Sequence, residues 1–375
     1  MANFIFWASL LILAYTFVGY PLLLNLIAVF FRKVKKIDIN FSPKVSIVLA
    51  VYNEEQVIKG KIENFLDIDY PFDNIELIII SDCCDDKTEE IIRFYENSRI
   101  KLLIQSERAG KTSALNRGVV EANGEIIVFT DANSMFNKNA INKIVRHFSD
   151  RQIGLVSGRS IYSDPENKFE EIGGTYRKYE EMIKRKESFI GSIAGADGAI
   201  YALRRDLYSF LPPQYINDLI HPIQVVLKGF RAISDPEVLC RETVDDRHTN
   251  ELDRQTRIMA QSWLILLSHF KSLLFGNQYL YLLVLISHKL LRWLTVLFLL
   301  LLLLATVLLL STGVFYKGAF YAQLFFYSTA LAGIRIEKGI LKVPYLFLQL
   351  HYAAILGLVR LLSGNQFIIW NPRTK

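Results

Sequence analysis

Residues 125–134 read EIIVFTDANS. The run EIIVF has the apolar, β-branched and aromatic character of a strand buried on both faces, and it stops at Thr130 against Asp131, Ala132 and Asn133. Side chains alternate along an extended chain, so positions 131 and 133 share a face. A carboxylate and a carboxamide on one face suit a hard divalent cation such as Mg²⁺ or Mn²⁺. The same pair also suits an Asx turn that caps the next helix, and these residues alone leave both readings open.

The flanking sequence repeats the strand pattern. VSIVLAVYN (45–53) leads into EEQVIKGKIENFL, IELIIIS (75–81) into DDKTEEIIRFYEN, and IKLLIQS (100–106) into GKTSALNRGVVEA. Short apolar strands separated by amphipathic helices predict an α/β domain over 42–250: a Rossmann-like, mostly parallel sheet with helices on both faces. Ligands bind such sheets beyond the carboxyl ends of the strands. Those ends carry Tyr52-Asn53-Glu54, Asp82 and Asp131-Ala132-Asn133, and this convergence favours the functional reading of TDAN.

The hydrophobic share of 51% is unevenly spread over the 375 residues. Residues 4–31 and 293–310 contain no charge, and each is long enough to cross a hydrocarbon core of about 30 Å. The expected organisation is a transmembrane helix with a basic cytoplasmic flank over 1–36, the α/β domain over 42–250, amphipathic interface helices over 251–292, and transmembrane helices over 293–375. The flank RKVKK after the first segment assigns the following domain to the cytoplasm by the positive-inside rule. AFYAQLFFYSTALAGI and VPYLFLQLHYAAILGLVRLL are read as further spans; Arg373 and Lys375 leave the side of the C-terminus open. His269, Lys271, His288, Lys289 and Arg292 are read as polar faces of helices lying in the interface.

The net charge of +6 is explained by membrane-surface contacts, since the cations cluster beside apolar segments, and nucleic acid is not an expected partner. Three cysteines form no CxxC pair and suit a reducing compartment, and six scattered histidines give no zinc pattern. GKT at 110–112 resembles the end of a P-loop, but that motif requires glycine at 105, where Gln stands. No GxGxxG follows the first strand, which disfavours hydride chemistry.

Seven stretches, SIVLAVYNEE, IIISDCCDDKT, RAGKTSALNRG, VFTDANS, GADGAIYALRR, INDLIHP and RQTRI, together resemble the membrane-integrated family 2 glycosyltransferases, the group of the hyaluronan, chitin and cellulose synthases. The resemblance covers roughly Ser42 to Ile258. It implies a GT-A fold, a nucleotide-diphosphate sugar donor of UDP type, Mg²⁺ or Mn²⁺, inversion by one direct displacement, and a glycan or lipid-linked acceptor. It also implies a bacterial plasma membrane location, with partner subunits left open.

The resemblance assigns roles residue by residue. Asp131 is the primary metal ligand, with Asn133 at the second position of the DxD-like motif, an oxygen without a charge. Tyr52, Glu54 and Asp82 fall where the family holds the nucleoside; Asp82 is also readable as a helix-capping acid. Lys111 approaches the donor, with Arg108 as a rival cation and an exposed first-turn lysine as the plain alternative. Asp218 occupies the place of the catalytic base, with Ile216-Asn217 where the family has Thr-Glu; capping of the next helix is the alternative. Asp197, within 195–205, offers a polar contact on the acceptor floor. Arg254, Gln255 and Arg257 correspond to the QxxRW-type motif that clamps the diphosphate, and interface anchoring competes for Arg257. Ile258 replaces the motif's tryptophan, Trp263 lying five residues on, so processive synthesis and single addition both stay open, with a non-catalytic nucleotide-sugar-binding membrane protein as the alternative from another class.

Overall fold

The computed structural model describes residues 1–30, 37–95, 97–162, 169–242, 251–336 and 339–364, with side chains at 162 and 169–175 left aside. The basic flank 32–36 and the terminal Arg373 and Lys375 lie outside the described residues.

The chain begins with α1 (Ala2–Ala14), a π turn at Tyr15–Gly19, and α2 (Tyr20–Phe30). The α/β domain then runs β1 (Val45–Val51), α3 (Ile58–Leu66), β2 (Ile75–Ser81), α4 (Thr88–Phe94), β3 (Ile100–Ile104), α5 (Lys111–Val120) and β4 (Ile126–Thr130). It continues with β5 (Ser134–Phe136), α6 (Ala140–Val145), β6 (Ile153–Tyr162), α7 (Phe169–Ile190), β7 (Ile200–Arg204), α8 (Asn217–Leu227) and β8 (Arg231–Glu242). These strands form one eight-stranded sheet in the order β3-β2-β1-β4-β7-β6-β8-β5. Strands β3, β2, β1 and β4 are mutually parallel, whereas β7 is antiparallel to both β4 and β6, and β5 to β8. The repeating strand-helix pattern sets the parallel half; no such repeat announces the mixed half.

Every residue of β1 is buried because the strand is covered twice. Ile47 and Leu49 pack with Ile62, Phe65 and Ile144 on one face, while Val48 and Ala50 pack with Leu115, Phe129 and Tyr201 on the other. Burying both sides of a pleated strand demands a nearly continuous apolar run, which is why six of the seven residues of β1 are apolar.

Beyond the sheet lie α9 (Glu251–Phe275), α10 (Tyr279–Leu285), a second π turn at Ile286–Leu290, α11 (Leu291–Trp293), α12 (Thr295–Leu308), α13 (Val314–Ala332) and α14 (Val343–Leu362). Three helical stretches among the described residues, Ala2–Phe30, Glu251–Phe275 and Ile340–Leu362, are long and apolar enough to cross a membrane. The pair Tyr279–Trp293 and Thr295–Leu308 qualifies together but is bent by 60°. Helix α9, read as interfacial, has the length and composition of a span, whereas α13, read as a span, carries Lys317 and Gln323 and is not among the qualifying helices. His288 and Arg292, read as interface groups, are 1% and 6% exposed and face carboxylates of α7. The intervening apolar residues hide this, because sequence cannot tell a lipid headgroup from a buried glutamate as the partner of a cation.

Candidate functional site

The site gathers where β1, β2 and β4 end. Past β1, Asn53 adopts φ 53, and its amide group exchanges hydrogen bonds with Asp85: Asn53 Nδ2 donates to Asp85 Oδ1, and the Asp85 N–H donates to Asn53 Oδ1 at 3.0 Å. The Glu54 N–H donates to Thr88 Oγ1 at 2.8 Å, so the loops after β1 and β2 are stitched together. The Tyr52 ring lies beneath Arg108, whose guanidinium is 3.6 Å from the ring centroid. This stacking makes a flat, cationic surface beyond the carboxyl end of β1.

Asp82 is 1% exposed and does not cap α4; Asp86 Oδ1 does that, accepting from the Thr88 N–H at 2.9 Å. Asp82 instead fastens the loop before α5. Its Oδ1 accepts from Gln105 Nε2 at 2.6 Å and from the Ala109 N–H at 2.8 Å, and its Oδ2 from the Gly110 N–H at 3.0 Å. Gly110 sits at φ 90, a backbone state that favours glycine, and this turns consecutive amides toward one carboxylate. The turn delivers the next residue, Lys111, whose ammonium pairs with Asp131 Oδ1.

Neither Asp131 nor Asn133 caps a helix. Asp131 holds Lys111, and Asn133 is partly exposed and makes no side-chain hydrogen bond among the described residues. Beneath them lies Lys61, a residue the sequence reading passed over. Its ammonium is buried, donates to Thr130 Oγ1 at 3.0 Å and to the Ser134 carbonyl, and sits 4.0 Å from the Phe136 ring centroid. Burial lowers its pKa to about 7 against the pull of Asp131 and Glu242. A lone Lys on an amphipathic helix gives no signal of such a place.

The opposite wall comes from the loop before β7 and the start of α8. Asp197 is held in its loop: its Oδ2 accepts from the Ser160 N–H at 2.9 Å and Oγ at 3.1 Å, and its Oδ1 from the Ala199 N–H at 3.1 Å. Asp218, in the first turn of α8, makes no capping bond. Asn217 instead donates to Tyr201 Oη at 2.6 Å, which lies 2.9 Å from His221 Nδ1. His221 is fully buried between aromatic rings, and desolvation lowers its pKa to about 3, so it is a neutral core group. Asp218 keeps part of its surface open, and a Cβ placed on Gly198 would stand 3.3 Å from its Oδ2. Burial raises its carboxyl pKa, opposed by the positive charges of Lys111, Lys289 and Lys184 and assisted by Asp131. Asp131, Lys111 and Asp218 therefore share one electrostatic neighbourhood, and Asp82 joins it through the 109–111 turn.

Arg254, Gln255 and Arg257 stand at the start of α9. Arg254 and Gln255 are occupied by Glu251, at 2.6 Å and 2.7 Å, and no hydrogen bond or ion pair joins these three to Asp131 or Asp218 among the described residues. Trp263 is committed to helix packing. It is 4% exposed, donates to the Ala354 carbonyl at 2.9 Å and packs edge-on against Trp293.

With this geometry in place, the match to a known family is direct: residues 46–209 fit the family described as glycosyl transferase family 2. That stretch is less than half of the chain and lies within the α/β domain. A probable glycosyltransferase YdaM of Bacillus subtilis is 33% identical over 123 residues, 31% of this chain and 29% of that protein. A poly-beta-1,6-N-acetyl-D-glucosamine synthase of Staphylococcus aureus is 26% identical over 215 residues, 55% of this chain and 52% of the synthase. The chain thus aligns with about half or less of the length of these curated relatives. Among solved structures, the mannosyltransferase PcManGT of Pyrobaculum calidifontis, in complex with GDP-Man and Mn2+, superposes with a TM-score of 0.75 at 20% identity, covering 98% of this chain and 100% of that one. The transferase domain has the GT-A fold, and the likeness extends through the flanking helices.

The donor set of the domain fits a divalent ion in part. Asp131 and Asn133 offer two hard oxygens, and no group of three or more His, Cys, Asp or Glu side chains suited to a metal occurs among the described residues. Mg²⁺ and Mn²⁺ accept such sparse protein ligation when substrate phosphates complete the sphere.

Proposed function

We propose that the protein is an inverting membrane glycosyltransferase that moves a sugar from a nucleotide-diphosphate donor, with UDP sugars the first to test, to a glycan or lipid-linked acceptor. The observation that carries this reading is the shared neighbourhood of Asp131, Lys111 and Asp218 at the strand ends. Departure of a nucleoside diphosphate builds negative charge on its phosphates, and Lys111 lies where an ammonium can meet that charge. A bound Mg²⁺ or Mn²⁺, held by Asp131 and Asn133, would supply further charge stabilisation and orient the diphosphate. Tyr52 and Arg108 provide a platform for the nucleoside, beside Glu54. Asp82 serves by holding the Gly110 turn that aims Lys111. Asp218 takes the proton from the acceptor hydroxyl as that oxygen attacks the anomeric carbon, and its raised pKa suits a base. Asp197 holds the acceptor loop, and Arg254, Gln255 and Arg257 are assigned to the diphosphate by their correspondence to the QxxRW-type motif.

The name of the staphylococcal synthase supports polysaccharide assembly. One observation favours a second reading, a single addition to a lipid-linked acceptor: Ile258 stands where processive synthases have tryptophan, and Trp263 is committed to helix packing. In either reading the protein sits in the bacterial inner membrane with the transferase domain cytoplasmic.

The test is a screen of UDP and GDP sugars against the full chain in lipid nanodiscs, read as release of nucleoside diphosphate with and without Mg²⁺ or Mn²⁺. Metal-dependent release with one donor, lost with chelator and in Asp131→Ala, is expected. No release and no binding with any donor overturns the proposal. Labelled product of one discrete size separates single addition from polymerisation.

A further inference from the structure

The charges around Asp218 that the transfer step leaves unused lie between α7 and the π turn at Ile286–Leu290. These two elements are locked together. His288 Nδ1 is 2.7 Å from Glu187 Oε1 and its Nε2 is 2.9 Å from Glu180 Oε2, while Arg292 pairs with Glu180 Oε1. Tyr20 Oη donates to Glu187 Oε1 at 2.8 Å, and the Ala194 N–H donates to Glu187 Oε2 at 3.1 Å. Both carboxylates are thereby engaged at both oxygens.

Two cations beside this network are not engaged. Lys184 shares the helix face of Glu180 and Glu187 by its spacing, and Lys289 follows His288. Both are partly exposed, and neither makes a side-chain hydrogen bond or an ion pair among the described residues. The Lys289 ammonium lies 3.7 Å from where a Cβ on Gly195 would stand, in the loop whose Gly198 abuts Asp218. Both lysines act electrostatically on Asp218. In the segment Tyr279–Trp293 the other basic side chains, His288 and Arg292, are matched by Glu180 and Glu187, and a cation left unmatched in a membrane-type helix is costly and points to a functional site. The π turn that presents it is itself a feature concentrated at functional sites. The other π turn, in the first membrane-type helix, meets it here, with Tyr15 Oη 2.8 Å from Ser287 Oγ.

We propose that Lys184 and Lys289 bind the phosphate or diphosphate of a lipid-linked acceptor, on the membrane-helix side of Asp218. The inference rests on the transferase reading above and specifies its acceptor. Half-buried ammonium groups without partners retain a desolvation cost that a phosphate oxyanion offsets. An anion held there sits next to the base, so the hydroxyl to be activated belongs to the molecule that carries the phosphate. A neutral glycan would leave both cations unmatched.

The experiment titrates farnesyl phosphate, farnesol and inorganic phosphate into the full chain in nanodiscs by calorimetry, with empty nanodiscs as the blank. Farnesyl phosphate is expected to bind saturably, and farnesol and inorganic phosphate each at least about tenfold more weakly. Lys184→Ala and Lys289→Ala should each weaken farnesyl phosphate by about tenfold, with Lys289→Arg retaining most of the affinity. Farnesol or inorganic phosphate binding as tightly as farnesyl phosphate overturns the proposal, as does farnesyl phosphate affinity indifferent to both lysines. The comparison of the three ligands on the unaltered chain keeps the test valid if a lysine variant does not fold. Failure of the transferase reading shows separately, as absent nucleotide-sugar turnover.

Discussion

Asp218 and Lys61 are ionisable groups whose surroundings push them away from their charged forms, and each shift has a measurable sign. For Asp218, burial outweighs the neighbouring lysines and raises the carboxyl pKa. A base must be deprotonated to act, so the acidic limb of kcat/KM should lie above the ordinary aspartate range, near pH 4. Asp218→Asn should cost about 10²-fold or more in kcat while the melting temperature and donor affinity hold. A variant with full turnover would remove the base from this residue. For Lys61, burial holds the folded pKa at about 7, below the ordinary lysine value of 10.5. The unfolded chain therefore binds more protons between those values, and stability should rise as pH climbs from about 7 to 10.5. Lys61→Met should flatten that slope, read as melting temperature against pH in both proteins. An unchanged slope would show that the ammonium is not the titrating group.

At the scale of elements, the loop 195–198 and the first turn of α8 behave as one unit, since the Ala196 N–H donates to the Asp218 carbonyl at 2.8 Å. Gly198→Ala places a methyl group 3.3 Å from Asp218 Oδ2, closer than ordinary contact. The expected outcome is a fall in kcat of about tenfold or more from misplacement of the base, with a stability loss of only about 1 kcal/mol. Equal turnover in the variant would mean that the loop yields without moving the carboxylate. Between α9 and α14 the contact is tighter still: a Cβ on Gly357 would fall 2.7 Å from the Ala260 backbone nitrogen, the close approach that small residues permit between membrane-type helices. This packing buries Trp263 and explains why the nearest tryptophan to the QxxRW-type motif serves structure.

Across the whole molecule, Glu187 joins three regions distant in sequence: Tyr20 of the first helical segment, His288 of the second π turn and Ala194 of the loop before β7. It is fully buried, so removing its side chain strands several polar partners. Glu187→Ala should cost about 3–5 kcal/mol, seen as a large fall in melting temperature in nanodiscs, and a change within 1 kcal/mol would show the network to be dispensable. The parallel half of the sheet, the apolar helices and the acids at the strand ends were legible in the sequence. Each rests on local periodicity or on composition: a strand covered twice must be apolar throughout, and a helix facing lipid must lack charge. The reversed β7, the buried Lys61 and the engagement of Asp82 by backbone amides were not legible, because they depend on which distant groups meet. The same holds for Lys184 and Lys289, which lie 34 residues before and 71 residues after Asp218 in the chain. The order of residues determined a GT-A type domain beside apolar helices; folding alone decided which charges are satisfied internally and which remain open, since burial and pairing are properties of contacts in space.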